Sequence, residues 1–274
     1  MTQLTYQMRA SYAFIERNFN LVRRYWGWEV VWLAYTIANA LAVAFIGVGA
    51  GAITGQEVDT DYFVLYLVIG TLVWHFLSVV FDSLSEVIAW ERWEGTIEYT
   101  FMAPVHRMTH MAGQTMFSLT YGLLHTGIVL IAVAIFFKID LSQANLPGAL
   151  LVLVAGSFSF IGFGIMASVL PLLFPERGAQ MTHVFQAILL LFSGVYYPIT
   201  VLPEWMQKVA MLSPATYVLA GMREALLENA PMDDLWPYIW PLLVAAAIAI
   251  PVGLKVFNSA ERYAKRTGKL KRNG

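Results

Sequence analysis

Hydrophobic and polar positions along this chain fall into long blocks rather than short alternations. Six stretches are apolar for about 20 residues or more, at roughly 30–52, 62–81, 111–137, 147–174, 182–201 and 235–254. A helix rising about 1.5 Å per residue needs about that length to cross hydrocarbon, so each predicts a transmembrane helix. The third holds no Asp, Glu, Lys or Arg. The fourth is rich in Gly and ends in PLLFP, which predicts a kink or irregular turn there. Ahead of the first span, Leu4, Met8, Ile15, Phe19, Val22 and Trp26 recur at helical spacing, with Tyr12 filling the gap. Arg9, Arg17, Asn20 and Arg24 fall off that stripe, the pattern of an amphipathic helix lying in the membrane interface.

Two connections are not simply polar. Between spans two and three, Val87, Trp90, Trp93, Ile97 and Phe101 follow the spacing of one helix face. Glu91, Glu94 and Glu98, with Arg92, lie on the flanks or opposite, Gly95 interrupts, and Ala103 and Pro104 stop the pattern. The expectation is a helix on the inner membrane surface, aromatic side up and carboxylate-rich side towards the cytoplasm. Acidic residues suit anionic lipid poorly, so a basic protein surface is the better partner. A loop helix with merely solvated charges is the alternative. Between spans five and six, residues 197–234 mix apolar turns, prolines and isolated charges. Such a segment is expected to dip back into the outer leaflet against protein, since lipid cannot satisfy free backbone groups.

Composition agrees. The chain is 58% hydrophobic and only 13% charged, about half the charge of a soluble domain, and its mean hydropathy is +0.62. It is read as an integral membrane protein. With no cysteine, it can form neither disulfides nor thiolate metal sites. Fourteen of the 17 basic residues precede span one, lie between spans two and three or four and five, or follow span six. Lys138, Lys208 and Arg223 are the exceptions, and the connection after span one carries Glu57, Asp59 and Asp61 without a basic residue. Positive charge marks the cytoplasmic side, so both termini are expected there, without a cleavable signal peptide. Nucleic-acid binding is not supported, because the strongly basic cluster is a short tail. The predicted organisation is an interface helix at 1–28, a six-span domain at 29–257 and a basic tail at 258–274.

Catalytic chemistry is hard to find. No GxxxxGK[ST] loop is present; Gly268 and Lys269 are followed by Leu in the solvated tail. The five histidines, His75, His106, His110, His125 and His183, form no metal-ligand spacing, and there is no GxSxG elbow. His106 and His110 could share a helix face, a pattern suited to interfacial hydrogen bonding. Glu29 and Asp82 fall at the cytoplasmic ends of spans one and two, while His75 and His125 are the deepest ionisable groups. The middles of spans one, three, four, five and six lack the buried Asp, Glu, Lys or Arg of a proton-coupled carrier, and no inverted repeat is evident. Gly47 and Gly51 make a GxxxG in span one, read as helix packing.

Two stretches resemble a known family. WERWEGTIEYTFMAPVHR, residues 90–107, is similar to the E-R-x-x-G-T-[LI]-E segment of ABC-2 superfamily permeases of ABC transporters, departing from it in the tryptophans Trp90 and Trp93. FSGVYYPITVLPEWMQKVAMLSPATYVLAGMREALL, residues 192–227, resembles that family's closing signature of S-G, aromatic, P, L-P, P-x-T-Y and a final Arg. The resemblance covers nearly the whole chain and is closest to drug-export and nodulation-type permeases. It implies an all-α fold of six spans, an interface helix, a coupling helix between spans two and three, and an external re-entrant hairpin between spans five and six. It also implies a cell (inner) membrane location, pairing with a second permease copy, and a separate ATP-binding cassette subunit that holds ATP and Mg; this chain would hold no cofactor. Glu91, Arg92, Trp93, Glu94, Gly95, Thr96 and Glu98 would then meet the ATPase, and Pro198, Pro203, Pro214 and Tyr217 would mark the hairpin turns. The implied function is export of an amphiphilic small molecule or drug. Export of a lipid-linked glycan or polysaccharide, and a stand-alone channel or secondary carrier, stay open beside it.

Overall fold

A computed structural model describes residues 3–55, 59–138 and 144–269 of the chain. Those residues are almost entirely helical, with no strand among them. In chain order the helices are α1 (Gln3–Arg24), α2 (Trp26–Thr54), α3 (Thr60–Glu94), α4 (Ile97–Met102), α5 (Arg107–Phe137), α6 (Leu146–Ala167), α7 (Val169–Leu173), α8 (Gly178–Ser193), α9 (Glu204–Ala210), α10 (Pro214–Leu226) and α11 (Met232–Arg266). A single 3₁₀ turn, Ile199–Val201, lies between α8 and α9.

Five segments are long and apolar enough to cross a membrane: α2, α3, α5, the α6–α7 pair and α11. They match five of the six expected spans. The remaining expectation, at 182–201, is met differently. There α8 runs Gly178–Ser193, starting earlier and stopping at Gly194, whose φ of 74° is left-handed. Its 16 residues reach only about 24 Å, short of a hydrocarbon core about 30 Å thick. By contrast α3 and α11, at 35 residues each, extend about 50 Å and project well beyond that thickness.

Helix α3 is the axis of the bundle. One side joins Ala40, Ala44, Val129 and Val133 of α2 and α5, through Val64, Val68 and Leu72. The other joins the main core, where Phe76 and Phe81 pack with Phe160 of α6, Leu219 of α10 and Leu235 and Phe257 of α11. Gly47 of α2 lets that helix approach, since a Cβ there would fall 2.9 Å from Val64 Cα. α1 packs beside the start of α5 at one face, called here the basic face, where Lys265 near the end of α11 sits 5.7 Å from the Phe101 ring of α4. The 3₁₀ turn, α9 and α10 occupy the opposite, hairpin face.

The glycines of α6 bring it close to α11 rather than loosening it. A Cβ on Gly162 would lie 2.5 Å from Ala249 Cβ, and one on Gly253 would lie 2.7 Å from the Gly162 carbonyl oxygen. In lipid, where apolar side chains gain little by leaving their solvent, such backbone approach is what holds helices together. Ser159 adds a hydrogen bond, its Oγ donating to Leu242 O at 2.7 Å. The expected irregularity at PLLFP falls just after Ala167, where α6 gives way to the short α7 around Pro171. From there the chain turns tightly into α8, and Gly178 N donates to Phe174 O at 2.7 Å.

Gly162→Val forces α6 off α11, at an expected cost of about 1–3 kcal/mol by overpacking. Thermal unfolding in detergent should show the loss. Gly27→Ala, at a site with nothing within 4 Å of the added Cβ, should leave the transition in place or raise it.

Candidate functional site

The acidic, aromatic segment between the second and third spans departs from its expected form. It is not a separate surface helix. α3 continues unbroken through Trp90 and Trp93 to Glu94. Gly95, at φ 76°, then closes the helix with a Schellman turn, in which Thr96 N donates to Glu91 O at 2.9 Å and Gly95 N to Arg92 O at 3.3 Å. The left-handed backbone at Gly95 rotates everything that follows. Ile97 and Phe101, expected on the face of the tryptophans, instead turn into the core at 1% and 7% exposure. Trp90 and Trp93 stay exposed and meet edge to face at 5.5 Å.

The charges divide in the same way. Glu91 and Arg92 were expected to face the cytoplasm, but they are buried, at 3% and 2% exposure. Glu91 lies 3.6 Å from His110 Nε2 of α5, itself buried. Glu94, Glu98 and Trp93 are exposed, Thr96 is half-buried, and Tyr99 and Met102 stand out further. The surface that a partner could touch is therefore Trp93, Glu94, Glu98, Tyr99 and Met102, with Glu91 and Arg92 bracing it from inside.

That brace includes α1. Gln7 Oε1 accepts from His106 N at 3.1 Å and from Thr109 Oγ1 at 2.7 Å, satisfying donors at the start of α5. Phe14 lies 4.6 Å from the His110 ring, Asn18 Nδ2 donates to Gln114 Oε1 at 2.7 Å, and Phe19 meets Phe117 at 5.1 Å. A Cβ on Gly113 would fall 2.8 Å from Ser11 O, so only glycine lets α1 seat here. The apolar stripe, expected in the membrane interface, is only partly covered by the protein: Ile15 and Val22 are half-buried and Phe19 meets Phe117. Gln7, Ser11, Phe14 and Asn18 face the protein, whereas Met8 and Tyr12 are exposed. The side chain of Leu4 lies outside the described residues. Sequence reading missed Gln7, Phe14 and Gly113; the polar line of Gln7, Ser11 and Asn18 at helical spacing was the available signal.

At the hairpin face, each expected proline begins an element. Pro198 precedes the 3₁₀ turn, Pro203 precedes α9, and Pro214 opens α10; Tyr217 lies within the first turn of α10 and packs on the core. The residue that holds the hairpin together is Arg223. Its Nη1 donates to Gly194 O at 3.0 Å and its Nη2 to Val195 O at 2.8 Å, and its guanidinium lies 3.5 Å from the centre of the Tyr66 ring of α3. Gly70 makes room, since a Cβ there would overlap Val195 O at 2.1 Å. Arg223→Lys loses the fork and the planar stack together, and Arg223→Met strands both carbonyls, at about 1–3 kcal/mol for each unmet group. Thermal unfolding should therefore place both variants below the parent and below Tyr66→Phe, which keeps the ring.

Residues 10–227 match the ABC-2 type transporter family. Among relatives, the chain is 26% identical over 185 residues to the linearmycin resistance permease protein LnrN of Bacillus subtilis (strain 168), a stretch covering 67% of this chain and 47% of that protein. It is 26% identical over 192 residues to the probable multidrug ABC transporter permease YbhR of Escherichia coli (strain K12), covering 70% and 50%. It is 21% identical over 221 residues to the inner membrane transport permease YadH of the same strain, covering 78% and 85%. The chain spans about half the length of the first two. Since the family match takes in most of the chain, including both the α3–α4 turn and the α8–α10 hairpin, the chain belongs to the ABC-2 type transporter family.

Proposed function

We propose that the chain is the permease subunit of an ATP-driven exporter, moving an amphiphilic small molecule or drug outward on the work of a separate ATP-binding cassette subunit. One observation carries this reading. α3 is a continuous 35-residue helix that touches both faces of the bundle, and its basic-face end opens directly onto the exposed patch of Trp93, Glu94, Glu98, Tyr99 and Met102. Force applied at that patch reaches the hairpin through one rigid element. Similarity to a linearmycin resistance permease and a probable multidrug permease supports an amphiphilic cargo.

In this reading the basic face is cytoplasmic, following the distribution of lysine and arginine. The hairpin then caps the outer end as a re-entrant element, and α8 completes a six-segment unit without crossing on its own. Met181, Val184, Phe185, Ile188 and Leu191 leave an apolar stripe on α8 exposed, which suits a second permease copy set against this one. ATP and Mg belong to the partner subunit.

The test is charge reversal at the exposed Glu94, Glu94→Lys, leaving Glu98 in place because it acts on the buried Arg92 that braces the turn. Co-purification of the ATP-binding cassette partner should fall at least tenfold, about 1.4 kcal/mol of binding, and cargo-stimulated hydrolysis should fall with it. Undiminished co-purification together with undiminished stimulated hydrolysis would overturn the reading.

A further inference from the structure

Within the apolar bundle, α3 and α5 bring two histidines together. His75 Nε2 lies 3.2 Å from His125 Nδ1, with the rings 5.2 Å apart and tilted by 39°. His125 is 8% exposed, and its Nε2 is buried with no hydrogen-bond partner among the described residues. The Tyr121 ring, one turn back along α5, lies 5.7 Å from the His125 ring, and its hydroxyl donates to Glu29 Oε2 of α2 at 2.5 Å. A polar line therefore climbs from the first turn of α2, at the basic face, to the interior of α3.

We infer that the His75–His125 pair is a proton-binding site inside the membrane-spanning bundle, taking up a single proton whose charge is balanced by Glu29. The stoichiometry follows from the contact. Two neutral rings share one N–H between facing nitrogens, and either tautomer leaves His125 Nε2 unmet. One added proton turns the neutral contact into a charge-assisted bond between an imidazolium and an imidazole, of roughly twice the strength. A second proton would set N–H against N–H at the same short distance. Buried ionisable groups among spanning helices persist when paired, and here the pair has a counter-charge.

Other titratable groups around α3 are already engaged. On the basic-face side, Asp82 accepts from Gln186 of α8 at 3.1 Å, with Glu86 and His183 beside it. On the hairpin side, Arg223 of α10 is committed to Tyr66 and to the carbonyls of Gly194 and Val195. α6 and α7 contribute no charged residue. Glu29 is the carboxylate near enough to act on His125. Proton uptake would tie α3 to α5 more firmly, biasing the helix that links the two faces.

The experiment is a pH titration of ring nitrogen resonances in the full chain, labelled with ¹⁵N-histidine and held in lipid nanodiscs, with His75→Gln and His125→Gln assigning the signals. One proton should be taken up by the pair, and replacing either ring should move the other's midpoint by about one pH unit or more. Glu29→Gln, which removes the counter-charge and leaves both rings in place, should lower the shared midpoint by a similar amount. The proposal is overturned if the rings titrate separately and ignore each other's replacement, if neither takes a proton between pH 4 and 8, or if Glu29→Gln leaves the midpoint in place. Should a histidine variant fail to fold, the wild-type proton count and Glu29→Gln decide alone. None of these readouts depends on the ATPase partner.

Discussion

Lipid offers the backbone no hydrogen bonds, and that constraint governs how α8 can end. A helix stopping after 16 residues leaves its last carbonyls without helical partners. The chain meets them with its own later side chains. Arg223 takes Gly194 O and Val195 O, Tyr197 Oη donates to Leu191 O at 2.6 Å, and Thr216 Oγ1 donates to Phe192 O at 3.4 Å. Thr216 Oγ1 closes the end of α9 at Ala210 O, 2.8 Å away. The donors come from the hairpin itself, so the hairpin must fold back over α8 for α8 to be tolerated. Arg223 on Tyr66, with Gly70 admitting Val195 O, then fixes that arrangement against α3.

The same helix is fixed at its other end by different means. At the basic face the Schellman turn at Gly95 sends Ile97 and Phe101 into the core, and Glu91 meets His110 under the cover of Phe14 from α1. α3 is thus held at both ends and packed along both sides between them. Bending it in lipid would open hydrogen bonds with nothing to replace them, each at several kcal/mol. A displacement at Trp93 is cheaper to accommodate as movement of the whole rod. The α6–α7 pair, interrupted at Ser168 ahead of Pro171, contrasts with it and offers a place where packing can give.

How much of this was legible in the sequence depended on whether the signal was local. Span positions were, because about 20 apolar residues leave little choice in a chain with so few charges. The end of α8 was partly legible: Gly194, followed by Pro198, is a stop signal, yet the apolar run to Val201 outweighed it. The stripe of Trp90, Trp93, Ile97 and Phe101 misled because its spacing continues across Gly95 while the helix does not. Burial of Glu91 and Arg92, and the use of Gln7 and Asn18 as the inward face of α1, depended on His106, His110 and Gln114, more than 90 residues from the α1 side chains they meet. Polar residues reveal burial only through their partners, which periodicity cannot supply.

That last point changes the meaning of the charge density between residues 86 and 107. It contains two populations with opposite energetics. Glu91 and Arg92 are almost fully buried, where losing a partner leaves a charge without compensation and costs several kcal/mol. Glu94 and Glu98 stand in the open, where an ion pair contributes about 1 kcal/mol or less to stability. The buried set therefore fixes the shape of the turn, and altering it alters the fold before it alters any contact. Within the exposed set Glu98 still acts on the buried Arg92, whereas Glu94 can vary with whatever the turn must meet. Four residues, from Glu91 to Glu94, thus combine a rigid support with an adjustable contact on two sides of the last turn of α3, which Gly95 ends.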